Sequence, residues 1–336
     1  MNLIGEHTDY NLGFVLPMAL TLATEVEVDR SSDGKLKLHS EQHRDEREWN
    51  VDEIATLRPA GHWSDYVIGV AQQLIAAGFP IQPASLTIRS TVPEGAGLSS
   101  SAALEVSCGL AFLDRRPFPP LELAQLCRRA ERDFVGMPCG IMDQYVAIFG
   151  RAHAAVEIDC RSLEHRLVRL PETVSFLAVN SMVKHALASS AYAERVRETA
   201  AAARALGVAS LRDATDSPSP RARHVITENR RVKQFSNASE RGDVQTMGRL
   251  MVESHRSLQY DYEVSCPELD FLVDTAMAID GVYGSRMTGG GFGGCTVTML
   301  RAGAEGNFRR EIIAAYRSRY DVTPAIYECL PGQGAM

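Results

Sequence analysis

No run of about 18 apolar residues occurs in the chain, and no charged stretch followed by an apolar one opens it, so neither a membrane span nor a secretion leader is expected. Paired cysteine motifs are also missing. The seven cysteines, at 108, 127, 139, 160, 266, 295 and 329, form no C-x-x-C pair and sit in apolar or helical stretches, as buried thiols do. Their odd number suits a reducing compartment, and the cytoplasm is the expected location. Positive charge is in short supply: 35 Lys and Arg against 42 Asp and Glu leave a formal net charge of −7. That argues against nonspecific binding to nucleic acid or to an anionic membrane. Any polyanionic ligand must therefore be held locally. No glycine-rich stretch leads into Gly-Lys-Ser/Thr, which disfavours the P-loop fold, and repeats and low-complexity tracts are absent.

What is present is ordinary globular composition, 45% hydrophobic and 23% charged, over 336 residues. At about 100 to 200 residues per domain, two domains are expected, 1–161 and 162–336. Period-2 alternation in Thr24-Glu25-Val26-Glu27-Val28 and in Lys35-Leu36-Lys37-Leu38-His39, with Ser-Ser-Asp-Gly between, predicts a hairpin. Further strands are expected at 84–92, 154–159, 174–180, 295–300 and 325–329. Helices are expected at 65–77, 98–113, 121–135, 187–206, 221–235, 242–260 and 267–279. Strands with antiparallel turns and helices set apart indicate an α+β fold, not a doubly wound sheet.

Four segments carry the chemistry. Gly95-Ala96-Gly97-Leu98-Ser99-Ser100-Ser101-Ala102 lies between a strand and a long helix, where glycine backbone and the unpaired N–H groups of a helix start suit phosphate. A helix cap would account for one serine but not for three. Gly289-Gly290-Gly291-Phe292-Gly293-Gly294 contains G-x-G-x-x-G but precedes a strand, so the dinucleotide reading loses its context. Its five glycines imply close approach of backbone to a ligand or a neighbouring loop. Gly5-Glu6-His7-Thr8-Asp9-Tyr10-Asn11 gathers two carboxylates, an imidazole and an amide, a set able to direct several hydroxyls, although a solvated turn would use the same residues. Gly140-Ile141-Met142-Asp143-Gln144-Tyr145 sets one acid among apolar residues, where it is either capped or functional.

In this order, the four segments resemble those of the galactokinases of the GHMP kinase superfamily, from the first residue to near Cys329. Asn180 to His185 and on to Tyr192 is similar as well. The resemblance implies a two-domain GHMP kinase fold, with an N-terminal domain like ribosomal protein S5 domain 2 and a C-terminal ferredoxin-like α/β sandwich. It implies that Glu6, His7, Asp9, the Gly140 backbone and Tyr192 bind the sugar while Asp143 faces its anomeric hydroxyl. By the same resemblance Gly95 to Ala102 wraps the triphosphate of ATP, Ser101 and Glu131 contact Mg²⁺, Trp63 and Tyr66 flank adenine, and Lys184 adds positive charge near phosphate. The implied activity is ATP-dependent phosphorylation of galactose at O1, by a monomer or weak dimer. The alternatives are a kinase of N-acetylgalactosamine or a related sugar, and a galactose and ATP sensor that does not catalyse.

The family pattern reads Gly-Arg-Val-Asn-Leu-Ile-Gly-Glu-His where this chain begins Met1-Asn2-Leu3-Ile4-Gly5-Glu6-His7. Its arginine falls one residue before Met1. The expectation is a start assigned downstream of the natural one, a GTG valine codon read as methionine; the alternative is a truncated, catalytically crippled protein. For the 336 residues as written, weak turnover is expected, since a lost charge-stabilising group costs on the order of 10² to 10³ in rate.

Overall fold

The computed structural model describes residues 1–184 and 188–336, apart from the side chains of residues 184, 188 and 189. By contacts the chain forms two compact units, each discontinuous in sequence: residues 22–94, 99–149 and 334–336 make one, and residues 1–21, 95–98 and 150–333 make the other.

In the unit built on residues 22–94, a four-stranded sheet runs in the order Thr24–Arg30, Ala84–Ser90, Lys35–Ser40, Asp45–Asn50. The expected hairpin between the first two alternating segments does not form. Ala84–Ser90 lies between them, antiparallel to Thr24–Arg30 and parallel to Lys35–Ser40. Alternation fixes which face of a strand is apolar, not which neighbour it takes. Leu86 and Ile88 complete the buried face that Leu36 and Leu38 share. The hairpin that does form joins Lys35–Ser40 to Asp45–Asn50, an edge strand too charged to register as one in the sequence.

Four helices, Ser64–Ala76, Ser100–Leu113, Pro120–Arg129 and Met142–Phe149, accompany this sheet. The third starts with proline at its first turn, where no N–H is needed, and continues as a π-wound turn over Ala130–Val135. Gly109 lets two helices approach, since a Cβ there would sit 3.1 Å from Leu123 Cδ1.

The other unit holds two antiparallel sheets. Phe14–Val15, Ala154–Asp159 and His165–Arg169 form the smaller one. The larger runs Ala325–Glu328, Val174–Lys184, Gly293–Arg301, Val282–Thr288. Helices Pro267–Met277 and Glu305–Tyr320 cover it through Leu272, Ala276, Phe308, Ile312 and Tyr316, packed on Leu177, Val179 and Leu300. A second core unites helix Pro220–Glu240 with Leu258, Tyr262, Leu269 and Met287. Helix Val244–Ser257 rides directly on strand Val282–Thr288, because Gly248 and Gly284 leave no side chain between them: a Cβ on Gly248 would stand 2.0 Å from Tyr283 O. Among the described residues, no helix is long and apolar enough to cross a membrane.

Candidate active site

The acidic segment near the start is held from within and from far along the chain. Asn2 bridges Pro17, Leu3 N donates to Leu16 O at 3.1 Å, and Leu16 N donates to Ile4 O at 3.0 Å, so the chain doubles back over residues 5–13. Gly5, at φ 103°, is required there, since a Cβ would meet Phe14 O at 2.8 Å and Val232 Cγ2 at 2.9 Å. Thr8 Oγ1 donates to Gly5 O and Phe14 O, and Asn11 Nδ2 donates to His7 O. From helix Pro220–Glu240, Glu228 accepts from Gly5 N at 2.9 Å and Asn229 accepts from Phe14 N at 2.8 Å. His7 sits at φ 62°, a strained backbone state of the kind found at functional sites.

Glu6 and His7 are buried to 2% and 5% exposure, whereas Asp9 and Tyr192 are half-buried. Glu6 Oε1 takes three donors: Gly289 N at 2.9 Å, Thr288 Oγ1 at 3.1 Å and Arg286 Nη1 at 3.2 Å. His7 Nδ1 is 2.8 Å from the Tyr10 hydroxyl, which is 2.8 Å from that of Tyr262. The Tyr192 ring stands 5.3 Å from His7 and 5.6 Å from Tyr10, so Tyr192 joins the cluster from helix Ala188–Ala205. His7 Nε2 is buried and makes no hydrogen bond of normal geometry among the described residues, although the Gly290 backbone interacts with the ring and opposes the effect of burial on it. A buried ring nitrogen left open in this way is costly unless a ligand hydroxyl meets it.

Burial pushes the His7 imidazole down to about 3 and that of His224 down to about 4. His224 is fully buried, with Nε2 3.1 Å from Glu6 O. Both rings are therefore neutral in the folded protein at pH 7, while the unfolded chain protonates them below about 6.5. The unfolded state binds more protons in that interval, so stability falls as pH drops from about 6.5 toward 4. Thermal unfolding midpoints between pH 7.5 and 4.5 should decline steadily, and a His224→Gln variant should decline less. A flat profile would contradict this.

Two glycine-rich segments meet in the same unit. Gly95 and Gly97 have φ of 63° and 69° and are exposed, while Ala96 and Leu98 between them are buried. The backbone thus faces outward on two apolar anchors. A Cβ on Gly97 would stand 3.2 Å from Thr288 O, and one on Gly289 3.3 Å from Gly97 Cα. Gly291 leaves room for Val264, whose carbonyl accepts from Phe292 N at 2.7 Å, and a Cβ on Gly290 would press on Tyr192 at 3.2 Å. Neighbouring loops and the Tyr192 ring account for these glycines.

The remaining candidates lie in the unit built on residues 22–94. Ser99, at φ 65°, precedes helix Ser100–Leu113, and its side chain makes no capping bond. The serine run is therefore not used as a cap, and the first-turn N–H groups at this helix start stay available to an anion. Behind Ser101 lie Glu131, 8% exposed, and Glu105, fully buried. Gln144 Nε2 donates to both carboxylates, at 2.6 Å and 2.9 Å. Burial raises the pKa of each. The Asp143 carboxylate adds to the rise at Glu131, and the Ser101 hydroxyl opposes it. Asp143 opens helix Met142–Phe149 and is half-buried, beside buried Gly140.

Trp63 immediately precedes helix Ser64–Ala76, and Tyr66 lies in its first turn. The Trp63 indole donates to Asp45 at 3.0 Å and stacks on His43, 5.4 Å away and 6° from parallel. Burial, with the carboxylates of Glu131 and Glu105, pushes the Tyr66 phenol up to about 12. The Lys184 side chain and His185 lie outside the described residues.

The structure thus gathers Glu6, His7 and Tyr192 in one unit, and Ser101, Glu131 and Asp143 in the other. Sequence reasoning gave no role to Tyr262, His224, Glu228, Arg286, Thr288, Glu105 or Gln144. The signal for Glu105 and Arg286 was a lone charge inside an apolar helix or strand. Glu228 lies in a charge-rich helix, where nothing local marks it as buried.

The match that decides the family falls on the first of these clusters. A sequence model described as the galactokinase galactose-binding signature covers residues 1–30. Human galactokinase is 47% identical over 356 aligned residues, spanning 100% of this chain and 89% of that protein. The chain belongs to the galactokinase family. Within that family, galactokinase of Roseiflexus sp. (strain RS-1) is 45% identical, covering 99% of this chain and 90% of its own. The crystal structure of Lactococcus lactis galactokinase complexed with galactose matches with a TM-score of 0.93 at 35% identity, over 99% of this chain and 92% of that one. The GHMP kinases N terminal domain and GHMP kinases C terminal models match residues 65–151 and 235–318. The expected α+β GHMP kinase fold is therefore present. Methanococcus jannaschii mevalonate kinase shares this fold, with a TM-score of 0.73 at 19% identity.

Proposed function

We propose that the chain transfers the γ-phosphoryl group of ATP to O1 of α-D-galactose. The observation that carries the reading is the Glu6 and His7 cluster: buried, held by long-range bonds, with one imidazole nitrogen left open, and lying in the segment that matches the galactose-binding signature. Glu6, His7 and Asp9 hydrogen-bond sugar hydroxyls, with Tyr192 and the Gly140 backbone completing the contacts. A neutral His7 either donates or accepts at Nε2, according to its tautomer.

Gly95 to Ala102 wraps the triphosphate, through glycine backbone and the uncapped helix start. Trp63 offers a ring face to adenine, with Tyr66 in the first turn of the helix that follows it. Mg²⁺ fits the Ser101 hydroxyl and the Glu131 carboxylate, hard oxygen donors beside a second buried carboxylate whose Oε1 has no partner among the described residues. When bound, the ion neutralises charge on the phosphates. No group of three or more metal-binding side chains occurs among the described residues. Phosphoryl transfer passes through a loose transition state, so positioning and charge matter more than base strength. Asp143 orients the attacking hydroxyl and accepts its proton. On this reading the protein works in the cytoplasm as a monomer or weak dimer, without nucleic-acid or membrane partners.

ADP release measured with galactose, with N-acetylgalactosamine and with no sugar tests the proposal. Galactose alone should drive turnover, with galactose 1-phosphate as product by ³¹P NMR. Faster turnover on the acetylated sugar would shift the substrate assignment, and binding of both ligands without product would mark a sensor.

A further inference from the structure

We propose that Thr288 and Arg286 are positioning residues for sugar recognition, fixing one oxygen of the Glu6 carboxylate so that the other is presented to galactose. This rests on the reading of Glu6 as a sugar ligand. Glu6 comes from the N-terminal loop, but among the described residues the donors to its carboxylate come from the end of strand Val282–Thr288 and the residue after it. Three donors converge on Oε1, and Oε2 takes none among the described residues. A carboxylate with both oxygens free would rotate and lose directionality. One with a saturated oxygen offers its remaining lone pairs in a single direction.

The clamp is itself supported. Arg286 is completely buried and reaches the Leu3 carbonyl at 3.3 Å with the nitrogen that holds Glu6, so the same group fixes side chain and backbone of the loop. Its Nε donates to Ser254 Oγ at 3.2 Å, and that hydroxyl donates to Glu228 at 2.6 Å. Glu228 in turn takes Arg231 Nε at 2.6 Å and Gly5 N at 2.9 Å. Two carboxylates and two guanidiniums are thereby buried in formal balance, which spares Glu6 an unpaired neighbour. The Thr288 hydroxyl stands 3.0 Å from Asn2 O and 3.1 Å from Glu6 Oε1, so its single proton is shared between loop backbone and carboxylate, as Arg286 Nη1 is shared between Leu3 O and Glu6. Strand alternation puts residues 286 and 288 on one face, which is why both reach the loop.

Thr288→Val removes the hydroxyl and keeps the shape, while Arg286 variants risk misfolding because they leave the buried Glu6 carboxylate without its cation. Calorimetric titration with galactose and, separately, with ATP, alongside thermal unfolding, gives the readouts. Thr288→Val should weaken galactose binding by about tenfold, leave ATP binding within about twofold, and be rescued by Thr288→Ser, as for one hydrogen bond to a charged group. Added to Glu6→Gln, it should have little further effect. Unchanged galactose affinity in Thr288→Val, while Glu6→Gln weakens it, overturns the inference alone. So does an equal loss for both ligands that serine fails to rescue, which would mark a purely structural role. Unchanged galactose affinity in Glu6→Gln overturns the sugar reading beneath it.

Discussion

Replacing Asp143 by asparagine is expected to lower turnover on galactose by about 10² to 10⁴ relative to the parent chain, with little change in the KM for galactose. The substitution keeps size and hydrogen-bonding shape at the first turn of helix Met142–Phe149, so the half-buried position remains filled. It removes the one acid of the Gly140 to Tyr145 segment. The neighbouring Gln144 is a neutral amide, far too weak a base to take the sugar proton at pH 7, and its Nε2 already donates to Glu105 and Glu131. If Asp143 only fills space, the Asp143→Asn variant would turn over within about tenfold of the parent. A rise in KM with unchanged kcat would instead assign Asp143 to binding alone.

A second large effect is expected at Glu228. Glu228→Ala should destabilise the protein by about 3 to 5 kcal/mol, because it strands Arg231 and removes the acceptor for Gly5 N and Ser254. Glu228 is wholly enclosed, and Arg231, helped by His224, Arg286 and the Ser254 hydroxyl, outweighs the effect of burial and holds its carboxyl down at about 2. The sign follows from that depression. The carboxylate's contribution is complete above the unfolded value near 4.5 and is lost as pH falls from there toward 2. Urea titration at pH 7 should give the full difference between parent and variant, and titration near pH 3 a smaller one. A variant within about 1 kcal/mol of the parent at pH 7 would show that the network adds nothing net to stability.

The sequence made legible those features whose signal is local. The helices at 64–76, 100–113 and 188–205 and the strands at 84–90 and 154–159 follow from apolar period, and residues 95–102 follow from glycine and serine content. Pairing was not legible: the alternation of Thr24–Val28 and Lys35–His39 is as compatible with a hairpin as with the intervening Ala84–Ser90 strand that separates them. His165–Arg169 was missed because four of its five residues are exposed. For the candidate site, the N-terminal cluster and the acid at 143 were visible as composition. Their supports were not, since Gly5 reaches Glu228 across 223 residues and Glu6 reaches Gly289 across 283. No window of sequence contains both partners.

The same separations bear on how the protein is made. Residues 22–94 and 99–149 form a unit that closes on itself once residue 149 has been synthesised, apart from its last three residues. The first 21 residues cannot do so, because their sheet partner Ala154–Asp159 and their helix partner Pro220–Glu240 emerge later. Loop closure over more than 200 residues adds only slowly to the entropic cost, so the delay is one of chain order rather than of final stability. During synthesis the segment that matches the galactose-binding signature is left waiting while its neighbour in sequence folds, and its final arrangement is among the last the chain acquires.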